Sequence, residues 1–179
     1  MPLLYASLDP TTRRYMVAEF DRDLAAGAVI ISERLQPGAI EQYLQLLHEA
    51  IKYYDDQWLE DRTREMLVDF ELRRTPSGGT TTARLPAAAA RMLAEGDFNR
   101  YYMRGVCARA LADGQMEVEV YRARLSVEPR PESVRLEGER ISAAALLDEL
   151  RSARPETLAD ATLGKPNSGL SVRLIPEHT

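Results

Sequence analysis

The sequence predicts a single α+β domain that is mainly helical, with a small sheet and a buried central helix. The chain has 179 residues, which suffices for one sizeable hydrophobic core. Hydrophobic residues make up 45% of it and charged residues 28%, as is typical of a globular protein. Segments with helical periodicity outnumber those that alternate, and one of them, 98–112, is apolar almost all round. We expect the domain to span 1–154 and an extended C-terminal tail to span 155–179.

The first predicted element is a helix over 10–26. Asp9 provides a carboxylate for the N-cap, Pro10 suits the first turn, and Gly27 is a typical stop. The run that follows, 28–32, is short, β-branched and apolar, which predicts a buried strand. The predicted buried stripe of the helix consists of Met16, Phe20 and Leu24.

Two further helices are predicted in the first half of the chain. After a Pro-Gly pair, residues 39–54 carry their apolar side chains on one helical face. Residues 56–74 follow as a helix that Asp55 or Asp56 would cap. The apolar stripe of this helix contains Leu59, Met66, Leu67 and Phe70.

Proline, glycine and threonine then predict the clearest loop of the protein, 73–84, which we expect to be mobile. Beyond it, residues 86–96 predict a short helix that stops at Gly96. Asp97 would cap the apolar helix over 98–112. These two helices would form a unit like a helix-turn-helix.

The C-terminal part of the chain has the pattern of a small sheet. Residues 116–125 alternate between apolar and polar side chains, which predicts a half-buried strand. A short strand is predicted within 134–141, and Ser142 would cap a helix over 143–153. Residues 170–174 alternate again, and such a terminal strand needs a partner edge in this chain or in another.

The apolar helix over 98–112 admits two interpretations. Arg100 and Arg104 lie four residues apart on its narrow polar stripe. The favoured interpretation is a core helix whose two arginines pair with carboxylates of a neighbouring element. The alternative is a phosphate- or nucleic-acid-binding surface that includes Tyr101 and arginines of the next strand. A helix that reads the major groove needs an exposed polar face, and this one is too apolar for that role.

Few residues offer catalytic or metal-binding chemistry. His48 and His178 are the only histidines, and two are too few to favour a histidine metal site or a catalytic triad. Cys107 is the lone cysteine and has apolar neighbours, which favours a packed thiol in a reducing compartment. Glu117 and Glu119 resemble the acidic strand of metal-dependent nucleases, but an exposed polar strand face is favoured. We therefore predict no catalytic residue, no metal and no cofactor.

The charge and the hydropathy exclude further classes of protein. The net charge of −5 argues against binding nucleic acid through bulk electrostatics, and it leaves a local basic patch possible. No apolar stretch reaches the length of a membrane span, so we expect no membrane partner. With the lone cysteine, these features predict a cytoplasmic protein.

The candidate binding residues surround the predicted loop over 73–84. Its glycine pair offers backbone N–H groups to an anion or a protein partner, and arginines flank it. Two arginines of the strand over 116–125 are grouped with them. The candidate residues are Arg73, Arg74, Gly78, Gly79, Arg84, Arg122 and Arg124.

Four segments occur in an order that resembles small uncharacterised proteins encoded in bacteriophage and prophage regions. They are FNRYYMRGVCARAL at 98–111, VEVYRAR at 118–124, PRPES at 129–133 and PNSGLSVRL at 166–174. The resemblance covers the chain from about Thr80 onward. It implies a structural or assembly component of a virion and supplies no functional residue.

Three functions compete at this point. The first is a non-catalytic structural or assembly protein that contacts protein partners or copies of itself through 73–84 and 155–179. The second is a nucleic-acid-binding module that uses the arginine cluster. The third, a metal-dependent nuclease with Glu117 and Glu119, ranks last. The sequence favours the first, in the cytoplasm or, for a phage-encoded chain, in the virion.

Overall fold

The computed structural model describes residues 3–124, 131–155, 157, 163 and 169–176. Within them, α-helices and two small antiparallel sheets form one α+β domain, which confirms the predicted fold class. The helices are α1 (Pro10–Ala26), α2 (Ile40–Tyr53), α3 (Asp56–Thr63), α4 (Ala89–Ala112), α5 (Pro131–Leu136) and α6 (Ala143–Ser152). The strands are β1 (Phe70–Arg74), β2 (Thr80–Arg84), β3 (Glu117–Arg122), β4 (Arg140–Ser142) and β5 (Leu170–Arg173).

Helix α4 is the centre of the domain, and it contacts α1, α3 and α6. The prediction of two helices separated at Gly96 is wrong, because α4 runs through Gly96 without a break. A glycine inside a helix costs about 1 kcal/mol, which burial of the flanking residues on several sides outweighs. Asp97 is no cap: its carboxylate accepts hydrogen bonds from Tyr43 and Arg100.

Helix α1 has the predicted ends and a different buried face. Asp9 Oδ1 accepts the N–H groups of Thr11 and Thr12 at 2.9 Å, and Gly27 is left-handed with φ 61°. Met16 and Phe20 are buried as predicted, but Leu24 is 50% exposed. The side chains buried beside them are Glu19 and Asp23, because α1 packs against a basic part of α4.

The predicted strand over 28–32 does not form. These residues belong to no strand, and Val29 and Ile31 pack against the core from an irregular segment. A strand needs an edge to pair with, and the nearest pairing begins only at Leu35, which forms an isolated bridge with Leu67. The apolar run therefore reflects burial rather than a sheet.

The predicted helix over 56–74 ends early, and the predicted loop over 73–84 is mostly strand. Helix α3 ends at Thr63, and β1 pairs with β2 as an antiparallel hairpin. Its turn places Gly78 at φ 86°, a conformation that favours glycine. Cross-strand pairing thus overrides the helical periodicity near Phe70, and threonine, a good strand former, extends β2.

The second sheet has the strand order β4-β3-β5. Val118 and Val120 of β3 are buried, which confirms the predicted alternation, and Ser142 accepts the Ala145 N–H as the cap of α6. The predicted strand within 134–141 is largely replaced by α5, and β4 begins only at Arg140.

The terminal strand finds its partner inside the chain. Val120 of β3 faces Val172 of β5, and both Leu170 and Val172 are buried in the core. This section of the predicted tail is therefore part of the domain. The PRPES segment at 129–133 lies partly outside the described residues, and so does most of 156–168. His178 also lies outside them.

Candidate functional site

The arginines of the central helix are core residues. Arg104 is 1% exposed and donates a hydrogen bond to Glu19 Oε2 at 2.9 Å. It also donates to both carboxylate oxygens of Asp23. Arg100 is also buried and donates to Asp97 of its own helix. The structure thus favours the core interpretation, with α1 as the neighbouring element that supplies carboxylates to Arg104.

The buried charges of this interface stabilise one another. Burial raises the pKa of Glu19, but hydrogen bonds from Arg151 and Arg104 outweigh burial and hold that pKa below its ordinary value. Burial lowers the pKa of Arg104, and its hydrogen bonds to Asp23 and Glu19 reverse this and raise it. Each charge has a partner, which makes the cluster a structural ion-pair network.

Other candidates for chemistry also have structural roles. Burial raises the pKa of Cys107 to about 12, so the thiol stays protonated near neutral pH. His48 stacks on Phe20 with 5.5 Å between ring centroids. Glu119 pairs with Arg173 across the sheet. No group of three or more potential metal ligands occurs among the described residues.

The hairpin of β1 and β2 has one face turned toward the body of the protein. Glu71 on that face accepts hydrogen bonds from Arg34 and Arg73, each at 2.8 Å. The other face, which we call the hairpin face, is exposed. Phe70 is 59% exposed and Leu72 76% exposed. The hairpin face consists of Phe70, Leu72, Arg74, Thr80, Thr82 and Arg84.

The two edges of this hairpin differ. On the side of β1, the residues just before the strand are paired, since Val68 N–H donates to Arg34 O and Gln36 N–H donates to Met66 O. On the opposite side, β2 pairs only with β1 among the described residues. The outer edge of β2 is therefore open to another strand.

The candidate arginines do not form one patch. Arg73, Arg122 and Arg124 pair with carboxylates, namely those of Glu71, Glu137 and Glu95. Arg74 and Arg84 lie on the hairpin face, where no carboxylate pairs with them within the described part of the chain. Only these two of the predicted arginines are thus placed to meet a partner.

The two glycines use their N–H groups inside the turn. Gly78 donates to Thr75 O at 3.0 Å, and Gly79 donates to Thr75 Oγ1 at 3.0 Å. These donors shape the tip of the hairpin and are not aimed at a ligand. The geometry favours a contact through the strands over an anion cradle at the glycines.

Sequence reasoning missed Phe70 and Leu72, which it assigned in part to a helical stripe. A signal for them existed in β1, where Phe70 and Leu72 alternate with charged residues before a turn and a threonine-rich run. A short helix pattern and a short strand pattern overlap at this length, so periodicity alone did not separate them.

Comparison with models of known protein families finds no match. Comparisons with curated proteins and with solved structures find none either. Within the described ranges, no helix is both long enough and apolar enough to span a bilayer.

Proposed function

We propose that this protein is a non-catalytic assembly subunit that binds a second copy of itself through the outer edge of β2. The observation that carries the proposal is the open β2 edge beside an exposed apolar face. A lone two-stranded hairpin is marginally stable in water, and exposed edges invite pairing. A second hairpin would extend the sheet to four strands and place its own Phe70 and Leu72 on the same face.

The hydrogen-bond pattern identifies the backbone groups at this edge. Hydrogen-bonded and non-bonded pairs alternate along an antiparallel ladder. Thr75 N–H donates to Gly79 O and Leu85 N–H donates to Asp69 O, which sets the phase of that alternation. It follows that the N–H and C=O groups of Thr80, Thr82 and Arg84 point away from β1. These groups are available to an added strand.

The same edge is complementary to itself. In an antiparallel pair of two β2 strands centred on Thr82, Thr82 faces its counterpart and Thr80 faces Arg84 of the second copy. The two copies of Arg84 are then at opposite ends and do not face each other, and each lies in the same row as Arg74 of the other copy, with Thr80 between them. β2 contains no proline, and its only charged residue is Arg84 at its end, whereas protected edges commonly carry a proline or charges within the strand.

The test is the oligomeric state of the full chain, measured by sedimentation over a wide range of concentration. We expect a concentration-dependent dimer that Thr82→Pro abolishes, because proline removes the outward N–H of β2 and leaves the bonds to β1 intact. Thr82→Val is the matched control, since it keeps the N–H and the strand propensity.

A wild-type chain that stays monomeric at every concentration would overturn the proposal. A dimer unaffected by Thr82→Pro would do the same, because its interface would lie elsewhere. Circular dichroism of each variant confirms that the domain is folded. The resemblance to phage-encoded proteins adds a setting, a virion subunit, which mass spectrometry of purified particles would test.

A further inference from the structure

An open groove lies between the start of α1 and the end of α2, away from the hairpin of β1 and β2. Its volume is about 360 Å³, which falls in the range of small-molecule sites. The groove is lined by Pro10, Arg13, Arg14, Val17 and Lys52. The lining therefore combines two apolar residues with three cations and contains no carboxylate.

The cations of the groove are not neutralised by ion pairs. Arg13 donates to the carbonyl oxygens of Ala50, Ile51 and Tyr54, where α2 ends. Arg14 donates to the hydroxyl of its neighbour one turn earlier. None of the three cations of the lining is within ion-pair distance of a carboxylate among the described residues, but Asp55 is near enough to Arg13 to raise its pKa, against the larger effect of burial, which lowers it.

Aromatic side chains continue this surface. Lys52 Nζ lies 5.2 Å from the ring centroid of Tyr53, which is 63% exposed. The carbonyl oxygen of Tyr54 accepts a hydrogen bond from Arg13. The side chain of Tyr54 is 44% exposed, and its ring stacks on Trp58 with 4.2 Å between ring centroids. Arg62 covers the ring of Trp58 at 3.9 Å. Cations and aromatic rings thus follow one another from the groove outward along α2 and α3, together with the exposed carboxylates of Asp55 and Asp61.

We propose that this surface binds a phosphorylated nucleoside, with the phosphate at Arg14 and Lys52 and the base stacked on Tyr53. Cations that track phosphates and aromatic rings that stack on bases are the two components of sequence-tolerant binding to single strands. The same chemistry would accept a free mononucleotide. This site is separate from the hairpin face and independent of self-assembly.

The experiment titrates the full chain with a fluorescent oligouridylate, with uridine monophosphate and with inorganic phosphate, at low and at high salt. Arg14→Ala with Lys52→Ala should weaken oligonucleotide binding by about tenfold or more, and should reduce the slope of log affinity against log salt by about 1.4. Tyr53→Ala should weaken it by about tenfold, and Tyr53→Phe should restore it.

The matched control is Arg22→Ala with Arg135→Ala, which changes the net charge equally at two exposed positions outside the groove. Oligonucleotide binding without mononucleotide binding assigns the site to single strands, and tight mononucleotide binding assigns it to nucleotides. Binding of none of the probes overturns the proposal. So does binding that the groove and control variants weaken equally.

Discussion

The α1–α4 interface and the β1–β2 hairpin use the same residue types in opposite ways. In the interface, Arg104 is 1% exposed and held by Glu19 and Asp23. In the hairpin, Arg74 and Arg84 are exposed on a face where large apolar side chains are also uncovered. An arginine stabilises the core where another element supplies carboxylates to it, and it remains available for binding where none does. The residue type alone does not decide between these roles.

The difference implies a division of labour. Substitutions in the interface should cost folding stability, because buried charges lose their partners there. Substitutions on the hairpin face should leave stability nearly unchanged and affect association instead. Four stability measurements test this contrast.

The largest effect is expected for Arg104→Ala. The variant leaves the buried Asp23 without its cation and Glu19 with Arg151 alone, which should cost about 3–5 kcal/mol. Urea denaturation followed by circular dichroism measures the change in the free energy of unfolding. Arg74→Ala on the hairpin face is the control. A loss below about 1 kcal/mol for Arg104→Ala would show that Arg151 alone can neutralise the interface.

A pH dependence comes next, from a buried carboxylate that lacks strong partners. Asp56 is 2% exposed, its Oδ2 accepts the Leu3 N–H at 3.4 Å, and its Oδ1 has no hydrogen-bond partner. Burial, with Glu95 and Asp55 nearby, raises the pKa of Asp56 to about 6. The folded state therefore holds this proton more tightly than the unfolded chain does.

The stability that protonated Asp56 contributes is complete below the unfolded pKa and is lost as the pH rises through about 6. Asp56→Asn should remove this loss. The free energy of unfolding of the variant, relative to that of the wild type, should therefore increase by on the order of 1–3 kcal/mol when the pH is raised from 4 to 7.5. Thermal or urea unfolding at both pH values measures it. Asp61→Asn, exposed on the same helix, should show no such gain.

An effect of similar size is expected at Gly105, where α1 and α4 approach closely. A Cβ there would lie 2.4 Å from Met16 Cγ and 3.2 Å from the carbonyl oxygen of Thr12. Gly105→Ala should cost about 1–3 kcal/mol through overpacking. Gly96→Ala is the matched control in the same helix, since its Cβ meets nothing within 4 Å and should stabilise by about 0.5–1 kcal/mol. Equal signs for the two variants would contradict the close approach.

The smallest effect is expected on the hairpin face. Leu72→Thr removes an apolar side chain that is 76% exposed and keeps strand propensity, so the free energy of unfolding of the monomer should change by no more than about 0.5 kcal/mol. Unfolding at a concentration low enough to exclude association measures it. A loss above about 2 kcal/mol would show that Leu72 is packed within its own chain.

Elements whose signals are local could be predicted from the sequence. Asp9 and Gly27 bound α1, Ser142 caps α6, and the alternation around Val118 forms β3, as predicted. Capping and periodicity involve residues within a few positions of one another, so they act before any tertiary contact exists. The mainly helical α+β class followed from these signals.

The remaining features depend on the tertiary structure. It carried α4 through Gly96, left 28–32 without a strand partner and paired β1 with β2. It also brought Glu19 to Arg104 across 85 positions, and Lys52 to the groove beside Arg14. Burial, strand pairing and ion pairing depend on interactions between segments that are distant in the sequence. A pattern read along the chain therefore names the candidate groups but not which of them meet.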